Sequence, residues 1–282
     1  MGAGVFFVIL HYQAVEETRA CVESILNNYK KVRIVVVDNA SPNKSGIELK
    51  EEYANNRRVE VLLSDQNLGF ARGNNLGYRH AKDRGADFVI QVNNDTIFDD
   101  PEFVNKIQTL YDEEHFAVLG PDVICLKDGT HQNPLKGFTV TKTSILVSII
   151  KNCIGLFLAN FGADTLIKRT DVYQPNWENP IDISKSNSFV LQGCCYIFSR
   201  DYIEVMDGMF EGTFMYYEEH ILNYICRQKN LKMIYSPCLK LSHLRQASTS
   251  SAISSSKEKR KFKYRQSIHS LVSFYMYLVQ NG

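Results

Sequence analysis

Short apolar runs at residues 5–10, 32–37, 59–63 and 88–92 are rich in β-branched side chains, and each ends in a polar cluster. That pattern predicts four buried strands. Between the first two, Val15, Val22, Ile25 and Leu26 recur at helical spacing and Asn27-Asn28 closes the helix. A second helix is predicted over 45–55, and a glycine-rich stretch from Gly69 to Gly77 runs into a third that ends near Arg84. Strands alternating with crossover-length helices read as an open, Rossmann-like, mostly parallel α/β sheet with helices on both faces. The polar strand ends at His11, Asp38, Asp65 and Asp95 then gather along one edge, where ligands bind in such sheets.

Beyond this the alternation fades. Pro101 opens a helix to about Glu114, residues 116–119 return as a strand, and 121–187 are loop-rich. Residues 145–161 form an apolar run interrupted by Lys151 and Asn152. The run is short of the ~20 residues that span a bilayer, so it reads first as a core helix, with a membrane-surface helix or a cap over a cleft as the alternatives. Residues 189–198 read as one strand, 200–206 as the start of a helix, 214–220 as the entry to a helix ending near Lys229, and 233–235 and 238–241 as two short strands. Seven of the nine residues 248–256 are Ser or Thr, a linker composition. The tail after it is a helix with a basic start, suited either to docking on the domain or to an anionic membrane surface. Three segments follow: 1–120, an α/β half; 121–245, the other half of the same domain; and 246–282, linker and tail.

Composition changes this picture little. With 282 residues, 44% hydrophobic and 22% charged, the chain is an ordinary globular protein. A net charge of +1 argues against a dedicated nucleic-acid partner. Seven cysteines without a CxxC pair suggest reduced thiols in the cytoplasm rather than a disulfide framework or zinc site. The first apolar run lacks a basic n-region and a cleavage site, so it reads as a strand and not as a signal peptide.

The strand ends carry the candidate chemistry. Asp38 can accept hydrogen bonds from a nucleobase or ribose edge. In Asn93-Asn94-Asp95-Thr96, Asp95 is a hard oxygen ligand for Mg²⁺ or Mn²⁺ on a substrate diphosphate; read alone, the same residues equally make a turn. Arg72 is a cation within the glycine-rich stretch. Glu218 and Glu219 open a helix behind Tyr216 and Tyr217, and either could deprotonate a hydroxyl. Adjacent residues do not share a helix face, so only one of the pair is expected in a cleft. His243, at a strand end, is a candidate metal ligand.

As an ordered set, residues 35–41, 67–75, 93–96, 193–195 and 214–219 resemble the family 2 glycosyltransferases, nearest the bacterial rhamnosyltransferase-like branch that builds surface polysaccharides. The resemblance runs from Val5 to about His243 and implies a GT-A fold, a C-terminal acceptor-side extension, a nucleoside-diphosphate sugar donor, a divalent cation (Mn²⁺ or Mg²⁺) and inversion by single displacement. By position it implies donor contacts at His11, Asp38, Gly69, Arg72, Asn74, Asn94 and Asp95, metal contacts at Asp95 and His243, acceptor contacts at Gln192, Gly193 and Tyr217, and a base at Glu219 with Glu218 as fallback. The sequence departs from the family's pattern at Asn93, where the first carboxylate of a DxD is missing, at Glu219 in place of Asp, and at Ile221, where a second Asp usually stands.

The expected activity is transfer of rhamnose or another hexose to a hydroxyl of a glycan or lipid-linked acceptor, in the cytoplasm or at the inner face of the cell membrane. Peripheral membrane contact and a homo-oligomer are compatible with it. Two rivals remain: a sugar-phosphate nucleotidyltransferase and a non-catalytic nucleotide-sugar-binding protein.

Overall fold

The computed structural model describes residues 4–166, 178–244 and 256–281. Most of the Ser/Thr-rich linker lies outside them. The four predicted strands form as β1 (Val5–His11), β2 (Val32–Asp38), β3 (Val59–Leu63) and β4 (Phe88–Asn93), all parallel in the order β3-β2-β1-β4. Helices α1 (Val15–Asn28), α2 (Ser45–Glu52) and α3 (Phe70–Asp83) make the crossovers, and α4 (Phe103–Glu114) follows a two-residue β5 (Thr96–Ile97).

Period-two alternation sets the layers. Phe7 and Ile9 pack with Val22 and Ile25 of α1 and Phe103 and Ile107 of α4, whereas Phe6 and Val8 pack on the other face with Ala71, Tyr78 and Ala81 of α3. Glycines let α3 approach closely: a Cβ on Gly77 would lie 2.4 Å from Val8 Cγ1, and one on Gly73 would lie 2.8 Å from Leu10 Cδ1. Gly73 and Gly77 of the glycine-rich stretch therefore serve helix–sheet packing.

The second half completes the same sheet. β6 (Val118–Cys125) and β11 (Met233–His243) are parallel to each other, β10 (Cys195–Ser199) runs antiparallel between β4 and β6, and β5 pairs antiparallel with β11 at the far edge. A two-residue β8 (Ile181–Asp182) also pairs with β11. The boundary expected at residue 120 falls inside β6, so both halves share one hydrophobic core.

Two strand expectations need correction. The run 189–198 is divided: β9 (Phe189–Val190) pairs with β7 (Leu135–Lys136) in a separate small sheet, and Gln192-Gly193-Cys194 turns before β10 begins. The side-chain Oε1 of Gln192 accepts from Cys194 N at 3.1 Å and holds that turn. Conversely, 233–235 and 238–241 belong to one strand, whose register with β6 shifts between Ser236 and Lys240. Pro237 lies in that shift, where its missing N–H costs no ladder bond.

The region expected to be loop-rich contains α5 (Lys142–Asn160), capped by Thr141, whose hydroxyl accepts from Ser144 N at 3.0 Å. It is not a core helix: only Ile145, Gly155 and Ala159 are buried. A short α6 (Arg200–Ile203) precedes α7 (Glu218–Gln228), and the tail forms α8 (Ser256–Asn281). Ile145 of α5, Ile221 and Ile225 of α7, and Leu271, Phe274 and Leu278 of α8 make a third apolar cluster, so the tail docks on the domain.

Candidate active site

Sheet register builds one end of the site. Antiparallel pairing of β5 with β11 sets His243 opposite Thr96, and Leu244 N donates to Asp95 O at 2.9 Å. The Nε2 atom of His243 thereby comes within 3.1 Å of Asp95 Oδ2, with both side chains largely buried. Nδ1 of the same ring lies 2.6 Å from Gln132 Oε1. With Nδ1–H donating to Gln132, Nε2 faces a carboxylate, and that approach is favourable only with a proton or a metal cation between the two groups.

Among the described residues no group of three or more His, Cys, Asp or Glu could hold a metal. Asp95 and His243 are two residues that could together hold a divalent ion if its remaining ligands came from substrate and water. Gln132, a second partner from a loop between strands, carried no signal in the sequence.

The other end is a cavity of about 130 Å³ lined by Phe70, Asn93, Gln192, Gly193, Cys194, Met215, Tyr216, Glu218 and Glu219. Asn93 N donates to Cys194 O at 2.9 Å, which joins the end of β4 to the turn before β10. Both glutamates line this cavity, against the expectation that only one would. Both stand in the first turn of α7. Tyr216 and Tyr217 enter that turn with φ of 73° and 72°, left-handed values that bulky residues seldom adopt. Such strain gathers at functional sites. It is Tyr216 that lines the cavity, while the Tyr217 hydroxyl accepts from Asn152 Nδ2 of α5 at 3.3 Å, so Tyr217 braces the helix instead of facing an acceptor.

The two carboxylates differ. Glu218 is buried, and its Oε1 has no hydrogen-bond partner. Desolvation first, and the neighbouring Glu219 second, push it up to about 8, so it is mostly protonated at neutral pH. Glu219 is half-buried and also raised by desolvation, opposed by hydrogen bonding to the Gly193 backbone and by the charge of Lys263. A neutral Glu218 removes the like charge that would otherwise hinder ionisation of Glu219. Gly193 is a close neighbour, since a Cβ there would sit 3.2 Å from Glu219 Oε1.

Several expected donor contacts have other work. His11 is fully buried between Thr18 Oγ1 and Ser45 Oγ, each at 2.7 Å, and burial holds it down at about 4. With both nitrogens engaged, it ties β1 to α1 and α2 and cannot reach a ligand. Asn94 Nδ2 bonds to Thr18 Oγ1 at 3.0 Å, and Asn74 Nδ2 bonds to Phe70 O at 3.0 Å within α3; both side chains are buried. Gly69 is held by geometry: its φ is 79°, and a Cβ would lie 2.2 Å from Phe214 O, which accepts from Phe70 N. It thus anchors the segment leading to the glutamates.

Asp38 accepts from Ser41 N at 3.2 Å and lies so near α2 that a Cβ on Gly46 would be 2.2 Å from its Oδ2. Arg72 is exposed and lines a different groove, of about 470 Å³, with Glu211, Phe262, Gln266 and His269. Asp65 is exposed beyond β3.

A half-parallel sheet that gathers an acid–imidazole pair and a carboxylate pair at strand ends can be set beside known proteins. A profile of the glycosyl transferase family 2 matches residues 6–205. The chain is a family 2 glycosyltransferase. It is 29% identical over 102 residues to dTDP-rhamnosyl transferase RfbF of Shigella flexneri, covering 36% of this chain and 32% of that one. It is 23% identical over 215 residues to the low-salt glycan biosynthesis hexosyltransferase Agl10 of Haloferax volcanii, covering 75% and 60%. The chain thus spans less than two thirds of the length of either relative. A crystal structure of GalNAc-T7 with UDP, GalNAc and Mn²⁺ superposes with a TM-score of 0.59 at 14% identity, covering 93% of this chain and 47% of that one. That likeness confirms the GT-A fold of this family 2 member.

Proposed function

We propose that this protein is an inverting, metal-dependent hexosyltransferase. It moves rhamnose or another hexose from a nucleoside diphosphate to a hydroxyl of a cell-surface glycan or lipid-linked intermediate. The observation that carries the reading is the shared cavity lined by Glu218, Glu219, Gly193 and Asn93, the last of which stands two residues before Asp95. The rhamnosyl choice is supported by the likeness to RfbF, and a nucleotide donor with a divalent ion by the likeness to the GalNAc-T7 complex. Seven free thiols fit a cytoplasmic location. Family membership leaves the nucleotidyltransferase rival without support.

Glu219 takes the proton of the acceptor hydroxyl as its oxygen bonds to the anomeric carbon and the bond from that carbon to the diphosphate breaks. Single displacement needs one base and no covalent sugar–enzyme bond, which fits a pair with one ionised member. Asp95 and His243 would hold Mn²⁺ or Mg²⁺, which when bound neutralises charge on the departing diphosphate. Gln132 keeps His243 turned toward Asp95. Asp38 and Arg72 are the remaining candidates for contacts with the nucleoside.

Transfer by Asp95→Ala and by Glu219→Gln, measured as nucleoside diphosphate release with acceptor present, is expected to fall by about 10²–10⁴-fold for the base variant. Both variants should keep the wild-type circular dichroism. Full activity in both sinks the proposal. A thermal-shift panel of UDP, dTDP and GDP sugars with and without Mn²⁺ identifies the donor, because a ligand that binds only the folded state raises the melting temperature. Binding without turnover in any metal would instead favour a non-catalytic binding protein.

A further inference from the structure

Helix α5 turns an apolar face to solvent. Leu146, Val147, Ile150, Ile154, Phe157 and the adjoining Phe161 are 43–74% exposed. At 3.6 residues per turn they fall within about 120° of the helix circumference, a continuous stripe and not scattered side chains. The opposite face is occupied: Ile145 is buried in the cluster with α7 and α8, and Gly155 lies so close to Tyr264 of α8 that a Cβ would be 2.4 Å from its ring. By length and composition α5 is apolar enough to cross a membrane, with a mean hydropathy of 1.5. Its inner face is committed to the protein, however, so only one side is open to lipid.

The charge beside that stripe is mostly basic. The first turns of α8 run beside the end of α5, where Lys257 Nζ donates to Asn160 O at 2.7 Å and Arg260 pairs with Asp164 at 2.6 Å. Residues 142–160 and 256–265 together hold eight of the chain's 32 Lys and Arg but only one of its 31 Asp and Glu. A protein partner or a second copy of a chain with net charge +1 offers no general reason for this bias. An anionic bilayer does, because it attracts basic residues beside an apolar helix face lying in the interface.

We propose that the outer face of α5, rimmed by the basic start of α8, seats this protein on the surface of an anionic membrane. The stripe enters the interface, Lys151 and Arg265 lie toward the headgroups, and α5 lies on the bilayer without crossing it. Asn152 on the inner face bonds to Tyr217, which caps α7, so the membrane lies one helix away from Glu218 and Glu219.

Flotation of the full chain with phosphatidylcholine vesicles, with and without phosphatidylglycerol, tests this seat without any sugar donor. Wild-type protein should float with the anionic vesicles and largely fail to float with the neutral ones. Ile150→Glu combined with Phe157→Glu should lower the bound fraction at least about tenfold. Lys151→Glu combined with Arg265→Glu should lower it by about fivefold per charge and make its loss with salt shallower than that of wild type. All four positions are exposed, so melting temperature and donor hydrolysis should match wild type, which separates failure of the seat from failure of the transferase reading. The proposal is overturned if wild type does not float, if the glutamate variant floats equally well, or if gel filtration shows that the stripe instead joins two copies and vesicles are ignored.

Discussion

At the residue scale, the acid pair at the head of α7 sets the pH behaviour. Glu218 titrates higher in the folded protein than in the unfolded chain, so its ionisation favours unfolding. Its destabilising effect is absent below the ordinary glutamate range, grows as pH rises toward about 8, and is complete above it. Glu218→Gln, which mimics the neutral acid, should therefore melt like wild type at pH 4 but at least about 2–4 °C higher at pH 9, by thermal denaturation. Because Glu219 is also raised, the acidic limb of kcat should lie above the usual carboxylate range and disappear in Glu219→Gln. His243→Ala removes one of the two proposed protein ligands, and its activity should demand a higher Mn²⁺ concentration than wild type, read from a metal titration of donor turnover. A variant with an unchanged metal requirement would remove His243 from the site.

At the element scale, close backbone approach explains why small residues stand where they do. Gly69 combines a left-handed backbone with a contact that any side chain would break, so Gly69→Ala should cost about 1–3 kcal/mol in denaturant titration. The loss should be accompanied by reduced turnover, because Phe214, against which it packs, leads directly to Tyr216 and the glutamates. The resemblance implies a donor contact at Gly69; its geometry shows that it fixes the segment at Phe214. The strands were legible: β1 to β4 follow their apolar runs to within a residue or two. The break at Gln192-Gly193 and the fusion across Pro237 were not, since each depends on a hydrogen bond or a sheet partner outside its own segment.

At the scale of the whole molecule, the tail is structural. Leu271, Phe274 and Leu278 of α8 are each almost fully buried against α5 and α7. At about 1.5–3 kcal/mol per buried large apolar side chain, deleting residues 256–281 should remove several kcal/mol. It should also release α7, so melting temperature and turnover should fall together; a truncated chain with wild-type melting would show that α8 is dispensable.

The local apolar period was enough to predict an open α/β sheet, its strand ends and the carboxylates on them, because those features depend on neighbours a few residues apart. The tertiary structure alone decided which polar residues are free to act. His11 and Asn94 have their hydrogen bonds turned inward by partners in other segments, whereas β5–β11 pairing carries His243 to Asp95 across more than half the chain. It also decided that the apolar run of α5 faces outward, since periodicity shows that a helix has an apolar face and only packing shows what covers it.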